Sequence, residues 1–274
     1  MIDSPIAFVT GAARGIGRQI AHDLLDRGYR VVLGDLDLAA TESTALELGD
    51  GASAVQLDVT DGQQLADVIA SVEKRLGPID LWVNNAGIMP TGPFHDQPVD
   101  LAATIIDVNY TGVVRATSAI LPGMFDRGSG TIINVASATG IKPLAGLAVY
   151  SGTKAAIIAF SDALRRELRG TGVNVRVVLP NLVRTPLGAG ITPPRLTGSV
   201  NAQTVSASVM RLLHGRRYST VVPRGLGPVL RFSRLLPVAV QDWIDDRVGT
   251  DRIGLGGDPA VRAAYLRDVL RKQH

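Results

Sequence analysis

Two side chains with complementary acid–base chemistry, Tyr150 and Lys154, stand four residues apart at the start of a helical stretch. Residues at this spacing lie on one face of an α-helix, so the two can act as a pair. A phenol with its ordinary pKa of about 10 is a poor base near neutral pH, but an adjacent ammonium lowers that pKa. The pair predicts a group that takes a proton from an alcohol or gives one to a carbonyl. For a lone pair, a solvated helix face is the alternative.

Two further polar residues could join this pair. Ser137 directly follows the apolar run Thr131–Ala136, at the carboxyl end of a predicted strand, where ligands bind in open α/β sheets. Its hydroxyl can donate to a substrate oxygen as charge develops there, and a turn serine is the alternative. Asn109 lies inside an apolar helical stretch, where an amide is disfavoured without a partner. It could simply bond a neighbouring backbone carbonyl.

A glycine-rich turn precedes the first amphipathic stretch. It reads Thr10-Gly11-Ala12-Ala13-Arg14-Gly15-Ile16-Gly17. Glycine permits a tight turn and the close approach of a ligand, and the free N–H groups at a helix start favour an anion. The turn therefore predicts a pyrophosphate site, although an ordinary βα loop could have the same sequence.

An acid stands where dinucleotide-binding folds place one. Asp35 ends the second apolar run, about 20 residues after the glycine turn. A carboxylate there accepts hydrogen bonds from the adenosine ribose and repels a 2′-phosphate, which favours NAD over NADP. Arg14 favours the opposite choice if it reaches a 2′-phosphate, but it could equally pair with an acid or face solvent. A solvated carboxylate at a strand end is the alternative for Asp35.

These residues lie at the ends of short apolar segments or between them. The predicted strands are Pro5–Thr10, Arg30–Asp35, Ala54–Asp58, Leu81–Asn84, Thr131–Ala136, Val173–Leu179 and Ser219–Pro223. The predicted helical stretches are Gly15–Asp26, Leu65–Leu76, Ile105–Met124, Ala155–Leu168 and Val205–Leu213. Strands that are apolar throughout are typical of a parallel sheet covered on both faces. The expected fold is a doubly wound, seven-stranded parallel α/β sheet in one domain, residues 1–274.

The composition excludes several classes of protein. The 274 residues carry a net charge of only +3, which gives no reason to expect a nucleic-acid partner. There are no cysteines, and the four histidines lack ligand spacing, so neither disulfides nor a metal site are expected. The N-terminus has no signal-peptide pattern and no apolar run is long enough to span a bilayer, so a cytoplasmic protein is expected.

Taken together, the motifs resemble the short-chain dehydrogenase/reductase superfamily. They are the glycine turn, Asn84-Asn85-Ala86-Gly87, Asn109, Ser137 and Tyr150-Ser151-Gly152-Thr153-Lys154, in that order, and the resemblance covers about residues 5 to 190. It implies a Rossmann fold, a nicotinamide cofactor and a catalytic tetrad of Asn109, Ser137, Tyr150 and Lys154. In the family the lysine also binds the nicotinamide ribose, and the asparagine holds a water that leads protons from the lysine to solvent.

The resemblance also implies which residues contact the cofactor. They are Gly11, Arg14, Gly15, Ile16 and Gly17 in the turn, Asp35, Asp58 and Val59 near the adenosine, Asn85, Ala86 and Gly87 beside its ribose, Tyr150 and Lys154, and Pro180, Val183 and Thr185 near the carboxamide. Asn181 departs from the family, which usually has glycine there. Because asparagine tolerates a positive φ, the turn is expected to survive.

Substrate contacts are expected from segments without a recognisable motif. These segments are Ile88–Asp96, Ala138–Val149, the loop 186–201 and the tail 224–274. Their apolar residues are Ile141, Leu144, Leu147, Val149, Leu187 and Ile191, and no arginine pair or histidine cluster marks a phosphate or carboxylate site. This favours a small lipophilic secondary alcohol or ketone, steroid-like and retinoid-like molecules included.

The tail 224–274 departs from the family pattern. Many relatives carry a glycine-rich segment there that completes a tetramer; a homo-oligomer, dimer or tetramer, is still expected. The tail has apolar and basic residues interleaved, namely Val229, Leu230, Phe232, Leu235 and Leu236 with Arg224, Arg231 and Arg234. These could form an amphipathic helix on a membrane surface, and a lid or a subunit interface is the simpler alternative.

Three functional hypotheses follow. The first is an NAD(H)-dependent oxidoreductase that transfers a hydride between nicotinamide and a secondary alcohol or ketone, with an NADP(H)-dependent carbonyl reductase as its variant. The second is a dinucleotide-binding redox sensor with little turnover, and the third is a peripheral membrane-binding protein. The intact tetrad favours an enzyme, because a sensor has no need to keep Ser137, Tyr150 and Lys154 together.

Overall fold

Seven parallel strands form a single sheet. The structure is a computed structural model that describes residues 4–193 and 198–272. The strands are β1 Ile6–Thr10, β2 Arg30–Asp35, β3 Ala52–Gln56, β4 Ile79–Asn84, β5 Gly130–Val135, β6 Val173–Pro180 and β7 Ser219–Val222. Their order in the sheet is β3-β2-β1-β4-β5-β6-β7 and every pairing is parallel. The predicted doubly wound seven-stranded parallel sheet is confirmed.

Helices cover both faces of this sheet. They are α1 Gly15–Leu25, α2 Leu38–Leu48, α3 Gly62–Leu76, α4 Val99–Ile106, α5 Gly112–Asp126, α6 Ala148–Glu167, α7 Ala202–His214, α8 Leu226–Ser233, α9 Val238–Val248, α10 Arg252–Leu255 and α11 Pro259–Lys272. Successive side chains of β1 alternate between two cores, with Phe8 facing α3, α5 and α6, and Val9 facing α1 and α7. Each strand is therefore buried on both sides, which explains its continuous apolar sequence.

Three of the differences from the sequence prediction concern elements next to predicted site residues. The strand predicted at Ala54–Asp58 is found two residues earlier, as β3, because this edge strand is only partly buried and its apolar pattern is weak. Asp58 and Val59 therefore lie just beyond the strand. Helix α2 had no apolar period to predict it, because its buried residues are Thr41 and Thr44.

The third difference lies in the segment predicted as one helix over Ile105–Met124. It consists of the end of α4, a π-helical turn at Asp107–Thr111, and α5. Such turns insert one extra residue into a helix and are frequent at functional sites. Here the turn contains the fully buried Asn109.

A buried polar chain ties the sheet to α6. Asn84 Nδ2 donates to Asn134 Oδ1 at 2.8 Å, and Asn134 Nδ2 donates to Ser161 Oγ at 2.8 Å. Trp82 Nε1 donates to Asn84 Oδ1 at 2.7 Å. Buried amides whose hydrogen bonds are all made restrict the packing to one arrangement. This row of hydrogen-bonded side chains therefore fixes the position of α6, which carries Tyr150 and Lys154.

The tail folds into four helices that pack in two different ways. Helices α8 and α9 are held at one side, where Arg234 donates to Ile141 O at 2.7 Å and Lys142 pairs with Asp245 at 2.7 Å. Helices α10 and α11 lie against the carboxyl end of the sheet, where Ile253 packs with Tyr150. None of the described helices is both long and apolar enough to cross a membrane.

Candidate active site

A cavity of about 290 Å³ opens at the carboxyl ends of the strands. The sequence-predicted residues that line it are Gly11, Arg14, Gly15, Ile16, Asp35, Asp58, Val59, Asn85, Ala86, Gly87, Ser137, Tyr150, Lys154, Pro180, Val183 and Thr185. Gly17 and Asn109 lie behind this lining, against Asn85 and Gly87 respectively. The structure thus brings together residues that span 175 positions of sequence, from Gly11 to Thr185.

The glycine turn is clamped to the segment after β4. Asn85 Nδ2 donates to Thr10 O and to Gly11 O, both at 2.9 Å, and Thr10 Oγ1 accepts the Asn85 N–H at 3.0 Å. A Cβ at Gly17 would lie 2.3 Å from Gly11 O, and Gly11 itself has φ +63°. These contacts explain why glycine is required at both positions.

The start of α1 is free to bind an anion. Its N-cap residue, Arg14, makes no side-chain capping hydrogen bond, so the cap leaves the first-turn N–H groups to other partners. Thr185 closes over the same turn, since a Cβ at Gly15 would lie 3.3 Å from Thr185 Cγ2. The turn therefore fits the pyrophosphate of a dinucleotide.

Two carboxylates stand beside the turn at the end of β2. Asp35 accepts hydrogen bonds from the backbone N–H groups of Ala13 and Asp37, each at 3.2 Å. Asp37, which the sequence analysis missed, is the N-cap of α2 and lies 4.0 Å from the Arg14 guanidinium. Arg14 is thus paired with an acid, and the carboxylates of Asp35 and Asp37 lie close together at the end of β2.

Asp58 and Val59 form the wall next to this site. Asp58 Oδ1 accepts from Thr60 N at 2.8 Å and from Thr60 Oγ1 at 2.7 Å. Val59 packs against α5, where a Cβ at Gly112 would lie 3.0 Å from its Cγ2. Both side chains line the cavity, as predicted, although they lie beyond β3 rather than within it.

Tyr150 and Ser137 meet at the centre of the cavity wall. Burial raises the pKa of Tyr150 well above its ordinary value, a hydrogen bond with the Ser137 side chain acts to lower it, and Tyr265 raises it further. Ser137 is held by Thr139, whose N–H and hydroxyl both donate to Ser137 Oγ, at 3.2 and 3.0 Å. The predicted lowering of the phenol pKa is therefore wrong for this structure.

Burial is the largest cause of the raised Tyr150 pKa. The Lys154 ammonium lies 5.6 Å from the centre of the Tyr150 ring and donates its hydrogen bond to Val135 O at 3.0 Å. Burial lowers the pKa of Lys154 itself to about 8.

Asn109 is wholly buried and binds a neighbouring backbone. Its Oδ1 accepts the Ile88 N–H at 2.8 Å and its Nδ2 donates to Ile88 O at 2.9 Å. The backbone-bonding alternative is therefore what the structure shows directly. Because a Cβ at Gly87 would lie 3.1 Å from Asn109 Oδ1 and 3.6 Å from Lys154 Nζ, the amide lies close to the ammonium.

Asn181, which stands where the family usually has glycine, leaves the turn after β6 intact. No non-glycine residue in the described ranges has a positive φ, so the asparagine does not adopt the left-handed conformation that was expected. Its N–H donates to Val222 O at 2.8 Å. Its Nδ2 is buried without a partner among the described residues and lines the cavity beside Pro180. This spare donor fits a carboxamide oxygen.

Several lining residues escaped the sequence analysis. Leu144, Leu147 and Leu187 line the cavity as expected, but Ile141 packs into a separate core with Ala136, and Val149 does not line it. The residues that were missed include Met89, Leu182, Ile253, Tyr265, Asp268 and Val269. Four of these come from the tail 224–274, which was expected to contact the substrate as a segment, but no motif indicated which of its residues would do so.

A family model described as short chain dehydrogenase matches residues 5–195. This chain belongs to the short-chain dehydrogenase family. It is therefore an oxidoreductase of that family, whose members act on small molecules and are typically oligomeric. The resemblance drawn from the ordered motifs is confirmed.

Similar proteins agree with this assignment. The ketoacyl reductase HetN of a Nostoc species is 34% identical over 221 residues, which cover 78% of this chain and 77% of the relative. A short-chain dehydrogenase from Burkholderia phymatum, solved with NAD, shares the fold, with a TM-score of 0.78 and 23% identity over 85% of this chain and 93% of its own. A serine dehydrogenase solved with NADP+ has a TM-score of 0.73 and 32% identity, covering 79% and 93%. A nicotinamide dinucleotide is thus the supported cofactor.

Proposed function

We propose that the protein is an NAD(H)-dependent oxidoreductase that interconverts a lipophilic secondary alcohol and its ketone. The observation that carries the proposal is the meeting of Ser137, Tyr150 and Lys154 in one cavity that also contains the glycine turn. A redox sensor would not need an acid–base group at this place. The remaining cavity wall is largely apolar.

A bound nicotinamide dinucleotide supplies or accepts the hydride. Ser137 donates to the substrate oxygen and Tyr150 exchanges a proton with that same oxygen. Because burial keeps the Tyr150 phenol protonated at neutral pH, the group is poised as the proton donor of carbonyl reduction. Lys154, whose ammonium lies 5.6 Å from the centre of the Tyr150 ring, would hold the nicotinamide ribose of a bound cofactor.

The preference for NAD rests on the acids at the end of β2. Asp35 is fixed by two backbone N–H groups and Asp37 lies close by, so a 2′-phosphate would face two carboxylates. Arg14 already lies within reach of Asp37 and offers a weaker counterion. Repulsion of this type outweighs one exposed cation.

The proposal of a lipophilic substrate is supported by the apolar side chains of the cavity wall, several of which cluster with Tyr150. These side chains are Met89, Leu144, Leu147, Leu182, Leu187, Ile253 and Val269. Pockets of this composition gain affinity by burying apolar surface, with a few polar groups that fix orientation. Of the loop 186–201, Pro186, Leu187 and Gly188 line the cavity, and residues 194–197 lie outside the described residues.

The experiment is a fluorescence titration of the purified protein with NADH and with NADPH, followed by assays on apolar secondary alcohols. We expect at least tenfold tighter binding of NADH, and a reversed preference in Asp35→Ser. Asp50→Ser, an exposed acid away from the site, is the control. Tighter binding of NADPH by the wild type would contradict the cofactor assignment, and binding of neither would contradict the enzyme. Light scattering on the same sample measures the proposed dimer or tetramer.

A second role, contact with an anionic membrane surface, is supported by α8 and α9. Val229, Phe232, Leu235, Val238 and Trp243 are all exposed, by 59 to 79%. Arg224 and Arg231 lie exposed beside the apolar side chains of α8, whereas the acids of this region, Asp242, Asp245 and Asp246, are on α9. Apolar side chains flanked by arginines fit anionic headgroups.

Sedimentation with vesicles tests this second role. We expect binding to vesicles that contain phosphatidylserine, weaker binding to pure phosphatidylcholine, and loss of binding in Phe232→Glu. Phe125→Glu, on α5, removes an equally exposed phenylalanine elsewhere and should not change binding. A wild type that binds neither kind of vesicle would contradict the membrane role. A Phe232→Glu variant that changes only the oligomeric state would show that the surface binds another copy of this protein.

A further inference from the structure

The C-terminal helix α11 places a tyrosine in the cavity. This helix lies outside the part of the chain that the family model matches. Tyr265, Asp268 and Val269 of this helix line the cavity, whereas the match ends at residue 195. The Tyr265 hydroxyl accepts the Met89 N–H at 2.9 Å. Met89 belongs to the same apolar cluster as Tyr150 and Ile253, so the Tyr265 hydroxyl lies near the proposed catalytic Tyr150.

The Tyr265 hydroxyl can still donate a hydrogen bond. A phenol has one hydrogen to donate in addition to its acceptor lone pairs, and the Met89 contact uses only an acceptor. Burial raises the pKa of Tyr265, although the Met89 hydrogen bond and the charge of Arg262 act to lower it. The phenol therefore keeps its proton at neutral pH.

Arg262 holds Tyr265 in place. Its guanidinium lies 4.6 Å from the centre of the Tyr265 ring, and the side chain is buried, with 7% exposed. Its hydrogen bonds go to Thr91 Oγ1 at 2.9 Å, Leu187 O at 3.0 Å, Ala189 O at 3.2 Å and Met89 O. One side chain thus ties α11 to both loops that flank the cavity, which the planar fork of arginine permits and a lysine cannot reproduce.

We propose that Tyr265 is a specificity-determining residue that donates a hydrogen bond to a second oxygen of the substrate, with Arg262 as the residue that positions it. The inference rests on the proposed function, in which Ser137 and Tyr150 already serve the reacting oxygen. The same cavity is lined by the apolar side chains of Met89, Leu147, Leu187, Ile253 and Val269, and the charged groups of Arg262, Arg14 and Asp268 lie near Tyr265. A donor in an apolar wall discriminates against ligands that lack an acceptor for it. The substrate class is therefore carbonyl compounds with a nearby ester, thioester or second carbonyl group.

The test compares two ketones of equal chain length, ethyl acetoacetate and heptan-2-one, of which only the first has ester oxygens. In Tyr265→Phe we expect the ratio of kcat/KM values, ester over ketone, to fall about fivefold, through a higher KM for the ester. NADH affinity should not change. Tyr218→Phe is the matched control, because the Tyr218 hydroxyl bonds Ile158 O on the far side of α6 and does not line the cavity.

Arg262→Lys tests the positioning residue. We expect the same fall in the ratio, together with faster hydrogen exchange of the Met89 amide, because the helix is no longer tied to the loops. Arg267→Lys, an exposed arginine of the same helix, should change neither quantity. If Arg262→Lys retains the wild-type ratio, Arg262 does not position Tyr265.

The outcomes separate this inference from the proposed function. If the wild type reduces both ketones and Tyr265→Phe retains the wild-type ratio, the specificity role is wrong and the oxidoreductase remains. If the wild type reduces neither, the proposed substrate chemistry is wrong. Calorimetry of ethyl acetoacetate binding to the protein with NAD then decides the inference without turnover, because equal affinity in wild type and Tyr265→Phe overturns it.

Discussion

The two walls of the cavity are built in different ways. The wall around the glycine turn is made largely of backbone and small residues, held by the hydrogen bonds of Asn85 to Thr10 and Gly11. The opposite wall is made of large side chains from loops and from the tail, held by Arg262. The first wall suits the pyrophosphate of a dinucleotide, and the second can vary without disturbing the sheet.

The largest expected effect comes from Tyr150, where the two walls meet. Tyr150→Phe removes the proton donor and leaves the ring, so kcat should fall about a thousandfold. The affinity for NADH and the free energy of unfolding should stay close to wild type. Steady-state kinetics and NADH titration measure these effects. A Tyr150→Phe variant that kept its activity would show that Tyr150 is not the proton donor.

The backbone wall should be intolerant of a single methyl group. Gly17→Ala would place a Cβ 2.3 Å from Gly11 O, so we expect the free energy of unfolding to fall by about 2 to 3 kcal/mol and NADH binding to weaken strongly. Gly152→Ala is the control, since an added Cβ in this exposed helical position meets no atom within 4 Å. Urea unfolding and NADH titration measure both variants. A Gly17→Ala protein as stable as Gly152→Ala would refute the close packing.

The buried ammonium of Lys154 predicts a pH dependence of stability. Burial lowers its pKa from 10.5 to about 8, so between these values the unfolded chain binds more protons than the folded one. Stability must then rise with pH, by about 2 kcal/mol from pH 7 to pH 9.5 for this group. Lys154→Met should lack this rise. Urea unfolding of both proteins across this range isolates the lysine, because contributions from other groups cancel in the difference.

The side-chain wall should show a smaller and more selective effect. Ile253→Val shortens one buried side chain of α10, so KM for an apolar ketone should rise about threefold while NADH affinity stays unchanged. Leu255→Ala, a half-exposed neighbour on the same short helix, is the control. Equal changes in KM and in NADH affinity would mean that the two walls are not independent.

The parts of the site that depend on backbone and local spacing could be located from the sequence. The glycine turn, Asp35 at the end of β2, and the Tyr150–Lys154 pair were predicted from residues close in the chain. Elements with weak local signals could not be predicted: α2 buries threonines, and the π-helical turn at Asp107–Thr111 lies inside an apolar stretch. The pKa of Tyr150 was predicted to be lowered and is raised, because spacing along a helix does not reveal burial.

What the sequence alone determined is the doubly wound sheet, the family and the residues around the glycine turn. These follow from apolar periodicity, from glycine and from short spacings, all of which act between neighbours in the chain. Only the tertiary structure decided that α10 and α11 form a wall of the site and that Arg262 joins them to two distant loops. Contacts between residues more than 170 positions apart, such as Met89 and Tyr265, depend on how the helices pack and leave no periodic pattern in the sequence.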